Sequence, residues 1–289
     1  MDFKDKMYGC YHPFRKRMYL ESAHKLVTVY CPCGKCINCL RNYTKQWQMR
    51  MREEMASAKT SFFITLTYNE ENVPHGDNEL LLYKADYQRF LKRLRKRLSS
   101  LDNIKLRYVV VGEYGGKSNR PHYHFAIYLD KRVPFNVFKK YVDDSWLFGF
   151  NKVEFLNLSK IHYLVKYFNK LDKREHSVKS FRNMSNGIGK SFLTPAVIKY
   201  YKDNMTTICH RFGKTYAMPR YYKDRIFNAI EKETLLIESD DNWHDWLSSF
   251  HDLHGLVLPW EHYAQVNEEK INRACINGSH FTDDDCLQE

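Results

Sequence analysis

The sequence has no apolar run near the roughly 18 residues that a membrane-crossing helix requires. Its opening, MDFKDKMYGC, lacks the apolar stretch of a secretory signal. These absences predict a soluble, cytoplasmic chain with no membrane partner. A complete nucleotide loop is missing too. Gly187-Ile188-Gly189-Lys190-Ser191 ends like a P-loop, but no upstream glycine stands at the right distance and no evident strand precedes it, so ATP binding there is rejected. A loop with Asn186, Gly187 and Gly189 beside a phosphate fits better. No helicase motif is apparent, so strand separation by this chain alone is not expected. Acidic residues are scarce over most of the length: residues 1–230 hold 43 Lys and Arg against 20 Asp and Glu, whereas 3 basic residues face 14 acidic ones from Glu231 onward.

Aromatic residues are plentiful, with 21 Tyr and 18 Phe among 289 residues, and a hydrophobic fraction of 43% suits a globular domain with appendages. Cations for phosphates and rings for unstacked bases predict a nucleic-acid partner.

The densest chemistry lies in two neighbouring runs. Leu106 to Glu113 (LRYVVVGE) and Pro121 to Tyr128 (PHYHFAIY) read as strands, from their β-branched and aromatic content. The stretch between them carries Gly115, Gly116, Ser118 and Asn119, which are turn residues. A hairpin about that turn sets Glu113 opposite His122. His122 and His124, two apart, share a face. One carboxylate and two imidazoles there suit Mg²⁺ or Mn²⁺ with positions left open for a substrate oxygen.

Downstream, Ile161 to about Leu171 reads as a helix. Tyr163 and Tyr167 sit one turn apart, with Lys166 and Lys170 as a second such pair beside them. A phenol with a pKa near 10 is a poor nucleophile at neutral pH. A nearby ammonium favours both its ionised form and a bound phosphate. Taken alone, the helix reads equally as a half-buried element with two aromatic core residues.

Cysteines crowd the N-terminal region: Cys31, Cys33, Cys36 and Cys39 fall within nine residues, with Cys10 upstream. In a reducing compartment such clustering suggests a metal rather than disulfides. Structural Zn²⁺ needs four ligands. Two overlapping C-x-x-C units supply three, Cys33, Cys36 and Cys39, so Cys10, His12 or His24 completes the set. Free thiols in a mobile arm are the other reading.

The remaining pattern predicts a helix over 40–58 with a Tyr43, Trp47, Met51, Met55 stripe, and a strand over 61–68. An amphipathic helix follows over 83–98, with Tyr87, Phe90, Leu91, Leu94 and Leu98 inward. Next come a helix opened by Pro134 and a strand over 148–155. That order predicts an α+β fold: a ferredoxin-like or RRM-like central antiparallel β-sheet with helices on one face and the far face free for a ligand, plus Cys-rich N-terminal and acidic C-terminal appendages. The expected domains are 1–58 (Cys-rich arm and helix), 59–175 (core), 176–230 (basic extension) and 231–289 (acidic region, disordered over 275–289). His244, His251, His254 and Asp252 fit an amphipathic helix with Trp243, Trp246 and Phe250 better than a metal site.

The Glu113, His122-Tyr123-His124 and Tyr163/Tyr167 set, with its interleaved lysines, resembles the HUH endonucleases that start rolling-circle DNA replication. Within that superfamily it is most similar to initiators of small single-stranded DNA phages, microviruses of the gokushovirus type. Pro32 to Cys36, Phe63 to Tyr68, Gly112 to Gly115 and Met184 to Gly189 carry the likeness further, over roughly residues 30 to 225. The resemblance implies an HUH fold and a metal-dependent nickase and strand transferase. It also implies attack on origin DNA, single-stranded or supercoiled, by one tyrosine, leaving a 5′-phosphotyrosine. A host helicase and single-strand-binding protein in the bacterial cytoplasm would be the partners. The opposing reading is a non-catalytic single-stranded nucleic-acid binder with a zinc knuckle.

Overall fold

The computed structural model describes residues 10, 12–77, 79–116, 118–168 and 176–238, with isolated positions at 248, 252, 261, 262 and 265. Lys170, the aromatic–histidine run 243–251 apart from 248, His254 and the expected disordered tail 275–289 lie outside the described residues. In chain order the elements are β1 (Phe14–Leu20), β2 (Lys25–Cys31), α1 (Ile37–Ser57), β3 (Thr60–Tyr68), α2 (Lys84–Asp102), β4 (Leu106–Tyr114), β5 (Pro121–Leu129), α3 (Phe135–Asp143), β6 (Gly149–Phe155), α4 (Leu158–Lys166), β7 (Phe181–Met184), α5 (Pro195–Asn204), β8 (Ile208–Arg211), β9 (Lys214–Ala217) and α6 (Arg220–Ile226). None of the described helices is long and apolar enough to cross a membrane. The chain divides into two compact units, one of residues 47–192 and the other of residues 1–46 with 193–289.

In the 47–192 unit the strands form one antiparallel sheet in the order β6–β3–β5–β4–β7. Without β7 this is the ferredoxin-like arrangement, because β3-α2-β4 and β5-α3-β6 each return a strand to the same sheet. One face is packed by α2 and α3. Tyr87, Phe90, Leu91, Leu94 and Leu98 of α2 are buried against Ile64, Leu66, Tyr123, Phe125 and Ile127, and Phe138 of α3 stacks on Phe62 at 3.9 Å. Each such large side chain contributes about 1.5–3 kcal/mol by leaving water. The α2 helix runs four residues past the expected Leu98. It ends where Asn103 takes the left-handed conformation and its N–H reaches Ser99 O at 2.8 Å. In α3 the fixed φ of Pro134 sets the entry, as its position suggested.

The opposite face is not fully open, contrary to the expectation that it stays free. Near the β4 start Glu54 of α1 pairs with Arg107 and accepts the Gly189 N–H at 2.7 Å, while Tyr128 is buried beneath. Further along, α4 packs on β5. Periodicity cannot reveal this cover, because α1 presents buried Glu53 and Glu54 where an amphipathic pattern would place apolar residues.

The tyrosine helix begins earlier and ends sooner than its Tyr/Lys spacing suggests. Asn157 caps α4 by accepting the Lys160 N–H at 3.0 Å, and Tyr167 is already the C-terminal cap.

In the other unit β1 and β2 form a hairpin that the sequence did not advertise, since Phe14 to Arg17 are all exposed and break the alternation. Its turn is tied to the helical stretch 229–238 by Ser22, whose N–H donates to Glu233 at 2.9 Å. The hairpin of β8 and β9 and helices α5 and α6 give order to a basic stretch that showed little periodicity.

Candidate active site and metal centres

The turn after β4 folds as its composition requires. Gly115 N–H donates to Arg120 O at 2.9 Å, and Asn119 takes a positive φ of 50°. The resulting register places Glu113 directly opposite His122, with Val111 opposite His124. β3 continues the rows, Thr67 beside His122 and Thr65 beside His124. Glu113, His122 and His124 therefore project from the same face, the one away from α2 and α3.

Glu113 Oε1 lies 3.0 Å from His124 Nε2, and both side chains are almost fully buried. The other nitrogen of His124, Nδ1, is 3.0 Å from Thr65 Oγ1. When Nδ1–H donates to Thr65, Nε2 keeps its lone pair for an ion. When Nε2–H donates to Glu113, the Thr65 hydroxyl donates to Nδ1 instead. Thr65 was visible in the sequence only as part of an alternating strand; its place opposite His124 is a matter of register. His122 has a buried Nδ1 with no hydrogen-bond partner among the described residues, and its ring centroid is 6.3 Å from that of His124. Gly115 lets it lie close: a Cβ there would sit 3.4 Å from His122 Cε1.

These residues fit a divalent ion. Ligands at right angles with bonds of about 2.1 Å stand about 3.0 Å apart, which is the 3.0 Å separation of Glu113 and His124. The orphaned nitrogen of His122 is a third donor awaiting a partner.

The tyrosines of α4 stand over this set. The His124 ring meets Tyr163 edge-on at 5.3 Å and stacks with Tyr167 at 5.7 Å. The Tyr167 hydroxyl donates to the Tyr163 hydroxyl at 2.7 Å. Tyr163 is 42% exposed, so an incoming strand can reach it. Partial burial raises its pKa and the Glu113 charge adds to this, while the Tyr167 hydrogen bond and Lys166 pull it down. Tyr167 is driven up further, by burial, by its bond to Tyr163 and by Glu113. Lys166 is exposed on the last turn of α4.

The second centre lies in the other unit. One sulfur from each of Cys10, Cys33, Cys36 and Cys39 falls within 4.8 Å of the others. The Cys10–Cys36 and Cys33–Cys39 sulfurs are 3.9 and 4.0 Å apart, close to the roughly 3.8 Å edge of a tetrahedron with bonds of about 2.3 Å. Cys10 completes the set, and not His24, which lies in the β1–β2 turn near Tyr19. Burial works against ionisation of Cys33, but N–H groups of Lys35 and Cys36 point at its sulfur from 3.4 and 3.3 Å and the thiol falls to about 6. Burial pushes Cys10 and Cys39 up. Such a cluster could hold a metal such as zinc.

Residues 61–172, from β3 past α4, match the family model of the replication-associated protein ORF2. The chain is 27% identical over 240 residues to the replication-associated protein ORF2 of Spiroplasma virus 4, covering 75% of this chain and 74% of that one. It is 28% identical over 225 residues to the replication-associated protein VP4 of Bdellovibrio phage phiMH2K, covering 69% and 68%. A third likeness is to the replication-associated protein ORF4 of Chlamydia phage 1, 24% identical over 70% of this chain and 55% of that one. Together these likenesses support a phage rolling-circle replication initiator of the microvirus-like group.

Proposed function

We propose that the chain nicks and rejoins single-stranded origin DNA through a phosphotyrosine intermediate. The observation that carries this is the meeting of Glu113, His122 and His124 with the hydroxyls of Tyr163 and Tyr167 on one side of the sheet. Glu113, His122 and His124 would hold Mg²⁺ or Mn²⁺, which supplies Lewis-acid stabilisation of the charge that builds on the phosphate.

Tyr163 attacks the scissile phosphorus. A phosphorus–oxygen bond forms to its phenol as the bond to the departing 3′-oxygen breaks. The phenol gives up its proton and the 3′-oxygen gains one. The 5′-phosphotyrosine keeps the phosphodiester energy, so rejoining needs no ATP. Lys166 steadies the phosphate and the phenolate, and Tyr167 serves the second cut while the first adduct persists. Lys170 would add to this charge. The basic stretch 176–230 binds origin DNA around the site, and a host helicase and single-strand-binding protein open and cover the strand. The four-thiol cluster holds structural Zn²⁺.

The test is incubation with origin single-stranded DNA and Mn²⁺ or Mg²⁺, followed by denaturing electrophoresis. A covalent protein–DNA adduct at a tyrosine is expected. Its absence with every divalent ion overturns the nicking reading and leaves a DNA-binding protein.

A further inference from the structure

The rows of the sheet continue past the metal-binding set to the outer strand β6. Phe150 pairs with Thr67, Thr67 with His122 and His122 with Glu113, so the four share one row and one face. With strands about 4.8 Å apart, Phe150 stands about 10 Å from the His122 position.

Phe150 is the most exposed large apolar side chain among the described residues, at 69%. Phe155 on the same strand is also exposed, but it points to the helix side and leans on Phe62 and Phe135 with ring centroids 5.4 and 5.3 Å away. No ring packs on Phe150 among the described residues. Its backbone, in contrast, is fixed. Gly149 has φ +147°, and a Cβ there would lie 2.3 Å from Asn69 N and 2.5 Å from Thr67 O. Asn69 N–H donates to Phe148 O at 2.9 Å, and Trp146 Nε1 to Thr67 O at 3.2 Å. Lys152, two residues on and on the same face, has a side chain 72% exposed and a 3.4 Å pairing with Glu154. A surface pair of that kind is weak and yields readily to a phosphate. A pinned, bare ring beside an exposed ammonium is the pairing that single strands require: a face for a base and a charge for the next phosphate.

We propose that Phe150 is the base-stacking platform of the substrate strand, holding an unstacked base beside the scissile phosphate while Lys152 meets the adjoining phosphate. This rests on the nicking reading of the site and names how that site grips its strand. The surplus of 43 basic over 20 acidic residues in 1–230 favours a polyanion as occupant over an apolar protein surface.

The test uses the full chain in EDTA, so that no cleavage occurs. Fluorescence anisotropy selects the tightest-binding short single strand among those tiled from the DNA that encodes the chain. Phe150→Ala is expected to weaken binding about 5- to 100-fold, and Phe150→Trp to stay within about twofold of the parent. A single abasic position moved along the strand should cost the parent a similar factor at one place and cost Phe150→Ala nothing further there. Equal binding by Phe150→Ala, or abasic losses identical in the two proteins, overturns the proposal. A missing adduct with these binding losses intact sinks the nicking reading alone.

Discussion

Tyr167 donates its hydroxyl proton to the Tyr163 hydroxyl across 2.7 Å, so the two phenols are unequal. The bond eases ionisation of the acceptor and opposes it in the donor. Tyr163 is therefore expected to make the first attack. Tyr167→Phe should leave the adduct on Tyr163 but slow its formation by about 3- to 10-fold, the worth of one hydrogen bond. Burial already lifts the Tyr163 pKa, and losing the donor lifts it further. The rate-versus-pH curve should accordingly move to higher pH, read between pH 6 and 10. Tyr163→Phe should divert the adduct to Tyr167, which peptide mapping would locate.

His122 and His124 differ in what they hold. His122 Nδ1 is buried without a partner, so His122→Ala removes an unsatisfied group and should leave the melting temperature unchanged or higher. The adduct yield should nevertheless fall at least ~100-fold. His124 bonds Thr65 and Glu113, so His124→Ala should lower stability by about 1–3 kcal/mol as well as abolish the adduct. Denaturant unfolding separates the two.

Glu54→Ala tests the cover over the opposite end of the face. Glu54 is buried and serves both Arg107 and the Gly189 N–H. Removing it should cost about 3 kcal/mol, because Arg107 is left without its partner. Glu54→Gln, which keeps the shape, should cost less.

Metal analysis of the purified chain should find about one zinc, lost in Cys33→Ser or Cys36→Ser. Stripping it should unfold the region around Cys10 and Cys33, visible as new proteolytic cleavage before β1. A chain without zinc that resists such cleavage would make the thiols merely neighbours.

The hairpin at the centre was legible because its signals are local. Turn residues between two β-branched runs set the register, and the register alone brings Glu113 to His122. The core helices were legible from one apolar stripe each. What escaped depends on distant residues. Thr65 gains its role only when β3 docks beside β5, and α1 hides carboxylates that meet Arg107 and Gly189. The strands β1, β7, β8 and β9 are short or exposed and carry little alternation. The end of α4 at Lys166 was missed because Tyr and Lys repeat at helical spacing beyond it.

β5 bears both imidazoles and lies third of five strands, with β3 hydrogen-bonded along one side and β4 along the other. Its amide protons should be among the last to exchange with deuterated solvent, opening only when the whole sheet does. Heating should then leave the catalytic apparatus intact up to the point of global melting, and loss of activity should track loss of the fold.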